Sequence, residues 1–181
     1  MFSRFLLNPS KLSLSIGYQV VWFLCIGLAA RGYPVYAAFV TILYGLWSLV
    51  GSRHVHTQLI WFSMSGALLG YIVDSALVLY GVISFPESAQ LGGPSPMWMV
   101  SLWFAFASFL GGPLLWLLKR PLFVVALGGI GGPLSYIGGS KSGAMHLMDS
   151  TLQAGLIIGL AWATVMTFAS LWARGQSLPV S

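Results

Sequence analysis

Long runs without a charged side chain constrain this chain more than any motif in it. Neither 12–30 nor 122–140 contains a charged residue. A helix rises about 1.5 Å per residue and the hydrocarbon of a bilayer is about 30 Å thick, so one crossing needs roughly 20 mostly apolar residues. The segments 12–30, 34–50, 58–83, 97–118, 122–139 and 147–172 meet that need. They lack the alternation of barrel strands, and open sheet edges are not viable in lipid. The expected fold is an all-α membrane protein, a bundle of about six transmembrane helices, forming a single integral membrane domain over 1–181.

Composition agrees, with 57% hydrophobic and 6% charged residues where a soluble domain carries about 25% charged. A water-soluble fold, a disordered segment and a nucleic-acid-binding module are excluded. The expected surroundings are the lipid bilayer, with no nucleic acid. Arg4 and Lys11 ahead of the first apolar run imitate a secretory signal. Leu28-Ala29-Ala30 is a poor cleavage site, so this run reads as an uncleaved helix. The single cysteine, Cys25, cannot form an intramolecular disulfide and reads as a small packing group.

The net charge of +5 describes orientation. With a cytoplasmic amino terminus, Arg4, Lys11, Arg53, Lys119, Arg120 and Arg174 lie inside, and only Arg31 and Lys141 lie outside. The positive-inside rule then places both termini in the cytoplasm. The longest loop, 84–96, faces outward and reads as a structured cap or a mobile connection.

Two stripes of small residues, Ser63, Gly66, Gly70 and Asp74 in the third span and Ser101, Ala105, Ser108 and Gly112 in the fourth, read as packing seams. The fifth span is different in kind. Seven glycines between Gly128 and Gly143, with Pro133 among them, weaken a regular helix. Two readings stand: a broken helix lining a substrate site, or a tightly packed helix.

Asp74 is the most informative ionisable residue. A carboxylate at the centre of a membrane helix costs about 2.5–3.5 kcal/mol, so Asp74 should face the bundle and have a partner. Tyr136, Lys141, His146, Asp149 and Gln153 lie toward the same side in this topology. His146, Asp149 and Gln153 share a face if the sixth helix starts that early. These six residues form the candidate polar site, with Lys141 or His146 as counterpart to Asp74. The competing reading is a structural pair, or a hydrogen-bonded Asp74 that fixes helix register. His54 and His56 beside Arg53 read as a lipid-facing basic loop; without a local acid or thiol, they are a weak metal signal. No metal or cofactor is expected. Ser140 or Ser142 with Lys141 is a nonspecific nucleophile pattern.

Three stretches together resemble a bacterial inner-membrane family, domain of unknown function 2878. They are Asp74-Ser75 through Gly81 to Phe85-Pro86, Pro96-Met97-Trp98 through Leu102-Trp103 to Phe106-Ala107, and the glycine-rich 128–144 with Pro133, Tyr136 and Lys141. The resemblance implies a small multi-pass protein of the bacterial cytoplasmic membrane, without catalytic residues to carry over. It also implies an association with fatty-acyl methyltransferases and envelope stress. The expected role is an accessory factor in membrane-lipid modification or envelope maintenance, partnered by membrane lipids or a lipid-modifying enzyme. The alternatives are a small-solute or lipid transporter or channel using Asp74, and a membrane-embedded lipid-modifying enzyme with Asp74, His146 and Lys141 in acid-base roles.

Overall fold

A computed structural model describes residues 10–51 and 57–175. Arg4, Arg53, His54 and His56 lie outside the described residues, and with them the basic loop considered above. The helices are α1 (Lys11–Ala30), α2 (Pro34–Gly51), α3 (Thr57–Leu79), α4 (Met97–Gly111), α5 (Leu115–Leu118), α6 (Pro121–Lys141) and α7 (Thr151–Gly175). Two short strands, β1 (Ile83–Ser84) and β2 (His146–Leu147), pair antiparallel. Among the described residues, five helices are long and apolar enough to cross a membrane, and α4 is a shorter apolar helix of 15 residues. The protein is an all-α, multi-pass membrane bundle.

Helices α1, α3 and α6 stop at the same end of the bundle by the same device. Gly32, Gly81 and Gly143 follow them with positive φ. In each case the glycine N–H bonds three residues back, and the next N–H bonds five residues back, as Val82 does to the Leu77 carbonyl at 2.8 Å. This closes the free helix carbonyls without solvent. The β1–β2 pairing, in register Ile83↔Leu147 and Ser84↔His146, covers this end. A single 3-10 turn (Glu87–Ala89) sits beside it, where the Trp98 indole donates to the Ala89 carbonyl at 2.9 Å. The loop over 84–96 is thus a structured cap. Tyr33, Tyr36 and Tyr80 are exposed around this capped end, and Trp61 is exposed toward the other.

Helix α4 is the packed centre. Its small stripe receives α2: Thr41 donates to the Ser101 hydroxyl at 2.7 Å and Ser48 to the Ser108 carbonyl at 3.2 Å. The α3 stripe meets α4 on another face, with Gly66 against Ala107 and Gly70 against the Trp103 ring. Both stripes are seams between backbones in close approach.

The glycine-rich span is a continuous 21-residue helix, and the break falls in the fourth span instead. Both spans contain Gly-Gly-Pro, at 111–113 and at 131–133, so packing decides. On α6 the glycines admit side chains of α7: Gly128 lies against Met166, Gly132 against Trp162. Pro133 cannot bond back to the Gly129 carbonyl; that carbonyl faces Gly159, where an added Cβ would stand 2.8 Å from it. In the fourth span the chain leaves helical geometry at Gly112, with ψ −102. It resumes as α5, whose Leu118 carbonyl accepts the Ser170 hydroxyl at 2.7 Å.

The third span ends at Leu79 rather than 83, because Gly81 turns the chain into β1. The sixth begins at Thr151 rather than 147, behind Ser150, whose hydroxyl accepts the Gln153 N–H at 3.3 Å.

A Cβ at Gly70 collides with the Trp103 ring, whereas one at Gly131 meets nothing within 4 Å. Gly70→Ala should therefore destabilise the protein by about 1–3 kcal/mol. Gly131→Ala should lose no stability, since alanine is the better helix former. Unfolding of the two variants in detergent, side by side, checks this.

Candidate functional site

Asp74 projects from α3 and is fully buried. Both of its oxygens are taken: the Trp103 indole of α4 donates to Oδ2 at 2.8 Å, and the Tyr136 hydroxyl of α6 donates to Oδ1. The Gly70 clearance explains the first bond. With no side chain at 70, the Trp103 ring lies flat along α3 and brings its N–H to the carboxyl one turn further on. The second bond follows from Gly132, one turn before Tyr136, which lets Trp162 nest against α6. Trp162 then stacks on Trp103, with ring centroids 4.5 Å apart, and stands edge-on to Tyr136 at 6.4 Å. One carboxyl group thus joins three helices, and an aromatic cluster from α4, α6 and α7 seals it.

Of the six candidate residues, the structure brings Asp74 and Tyr136 together. Lys141, His146, Asp149 and Gln153 are exposed at the capped end. His146 is held in β2 opposite Ser84, Asp149 lies in the loop before α7, and Gln153 is on the first turn of α7, so the three do not share a helix face. The physical reason is the strand pairing, which uses the backbone that an earlier helix start would need. The donors to Asp74 are therefore neutral aromatic groups, not Lys141 or His146. Trp103 was missed from sequence. A buried tryptophan or tyrosine usually places its N–H or O–H on a partner, and that tendency is the signal that pairs both with a lone buried acid. Among the described residues, no group of three or more His, Cys, Asp or Glu side chains could hold a metal.

Beside this cluster lies an apolar cleft of about 510 Å³, walled by α1, α4, α6 and α7. Trp103, Tyr136 and Trp162 form part of its wall, so the Asp74 cluster stands directly behind it. Trp22 of α1, on the cleft wall, reaches toward Gly138 of α6 near the capped end. Further along, the two helices leave a mouth at mid-helix, rimmed by Gln19 and Phe23 of α1 and by Leu127, Gly131 and Leu134 of α6. All five rim residues are exposed. On membrane helices that mouth faces lipid, not water.

Removing the Tyr136 hydroxyl leaves a buried carboxyl oxygen without its donor. Tyr136→Phe should cost about 1–3 kcal/mol. Because the two groups share one bond, Tyr136→Phe combined with Asp74→Leu should cost less than the sum of the single changes, by about 0.5–3 kcal/mol. A double-mutant cycle on unfolding in detergent measures this, and additive losses would show that the bond contributes no coupling.

No curated protein and no solved structure matches the chain. A family model does match, over residues 11–168, and it is described as a protein of unknown function (DUF2878). A match over that much of a 181-residue chain places the protein in this family, whose function is unknown.

Proposed function

We propose that the protein handles membrane lipids from within the bilayer, as a non-catalytic accessory factor in lipid modification or envelope maintenance. One observation carries this reading: the cleft between α1 and α6 opens sideways at mid-helix through exposed rim residues. A cavity open to hydrocarbon is filled by what the hydrocarbon contains, and its volume lies within the roughly 300–1,000 Å³ typical of small-molecule sites. Its aromatic and aliphatic walls suit the chain of a membrane lipid.

The rival readings find less support. Transport through Asp74 needs the carboxyl on the wall of a cavity, whereas Trp103 and Tyr136 stand between Asp74 and the cleft. Acid-base catalysis with Lys141 or His146 needs those groups beside Asp74, and both are exposed at the capped end. The charge pattern supports a cytoplasmic face at the opposite end, which carries Lys11, Lys119, Arg120 and Arg174. In that orientation the capped end faces outward from a bacterial cytoplasmic membrane.

Two measurements test these proposals. A phospholipid with a photoreactive diazirine in mid-chain should label α1 and α6 at the cleft rim, and Gly131→Trp, which fills the mouth, should reduce that labelling several-fold. Uniform labelling of all lipid-facing helices, unchanged in Gly131→Trp, would sink the lipid-handling role. For orientation, Ser142→Cys in a Cys25→Ala background should react with an impermeant maleimide in intact cells, while Ser10→Cys should react only after lysis. The reverse pattern would invert the topology.

A further inference from the structure

Four polar groups on residues that line the cleft have no hydrogen-bond partner among the described residues: the Tyr18 hydroxyl, the Gln19 amide and the indole N–H groups of Trp22 and Trp162. Tyr18 is nine-tenths buried, its ring stacked on Phe109 with centroids 4.7 Å apart and packed 5.9 Å from Phe106. Its hydroxyl makes no hydrogen bond among the described residues. Gln19, the next residue, is exposed on the rim, and its amide is also unbonded among the described residues. Both lie well inside α1, Gln19 about 12 Å from the helix start at the usual rise. Water does not satisfy polar groups at that depth, and hydrocarbon offers no acceptor.

Partners for these groups must then come from a ligand, and their chemistry defines it. The Gln19 amide and the Tyr18 hydroxyl can each donate, and no charged residue lines the cleft. The complement is a neutral oxygen acceptor, not a phosphate or a carboxylate. The wall around them is aromatic, with Trp22, Trp103, Phe106, Phe109 and Trp162 presenting flat surfaces. Aromatic faces of this kind take a planar ring by offset stacking or edge contact. Phospholipid headgroups are charged or strongly hydrated and stay at the interface, about 15 Å from the midplane. A neutral carbonyl-bearing ring on a prenyl tail enters the hydrocarbon itself.

Resting on the reading that the cleft admits a lipid from the bilayer, we infer that its ligand is a neutral prenyl lipid of the quinone class. The ring carbonyl oxygens accept from Gln19 and Tyr18, and the tail leaves through the mouth between α1 and α6. The inference concerns binding and includes no electron transfer.

The test uses the full-length protein in nanodiscs of uncharged phospholipid, with a benzoquinone bearing a decyl tail as probe. The quinone should protect the cleft from the photoreactive phospholipid in a saturable way. Gln19→Leu and Tyr18→Phe should each raise the half-protecting concentration about tenfold, measured relative to each variant's own labelling without quinone. Gln19 is exposed, so its variant retains the packed bundle; circular dichroism and the melting temperature confirm that. If the phospholipid labels the cleft but quinone gives no saturable protection, the quinone assignment is overturned and the lipid-handling role stands. If protection is equal in wild type and both variants, the role of Gln19 and Tyr18 is overturned. If the cleft is not labelled at all, the lipid-handling role fails as well.

Discussion

A carboxyl group placed among apolar helices must be given hydrogen bonds, and the rest of this bundle is arranged around that demand. Asp74 receives one donor from α4 and one from α6. The first lies within the group formed by α1 to α4, and the second belongs to the α6–α7 hairpin. The bond to Tyr136 is thus a polar tie between two parts that otherwise meet through apolar contacts, the cap strands and the Ser170 bond to α5. In an environment where apolar side chains are as well solvated by lipid as by each other, such a tie gives the helices a definite register. The cleft lies between the same two parts, so its shape follows from where this tie holds them.

Glycine is the means by which the tie is reached. Gly70 lets the Trp103 ring lie against α3, Gly132 lets Trp162 lie against α6, and the two indoles then stack. Each close approach removes a Cβ where an aromatic ring must pass. The run of glycines in α6 weakens the helix locally, and the α7 side chains filling those gaps restore it. That compensation is why Pro133 sits inside an intact helix while Pro113 follows a break.

The membrane class and the all-α bundle were legible, because charge-free runs of span length have few alternatives in lipid; of the six expected spans, five are helices long enough to cross and the fourth is shorter. The seams through Gly66 and Gly70 and through Ser101 and Ser108 were legible as well, since small residues at helical spacing report backbone approach. Asp74 stood out because it is one of three acidic residues in the chain. Its partners did not. A search for opposite charge favours Lys141 and His146, whereas the demand for donors is met by Trp103 and Tyr136. The break at Gly112 was hidden because an identical tripeptide at 131–133 does not break its helix. The cleft was hidden for a different reason: it is a gap between α1 and α6, which are distant in sequence, and no local pattern encodes a gap.

The exposed aromatic residues at the two ends of α3 have one more consequence. Trp61 and Tyr80 are nineteen positions apart, about 28 Å along a helix, and amphipathic rings of this kind settle at the boundary between hydrocarbon and headgroups. The separation matches the roughly 30 Å of a bilayer's apolar slab. The spacing of these two rings, one near the start of α3 and one just past its end, thus fits the apolar thickness of a bilayer. Helix α4, enclosed by its neighbours, is free to be shorter than the slab, at 15 residues.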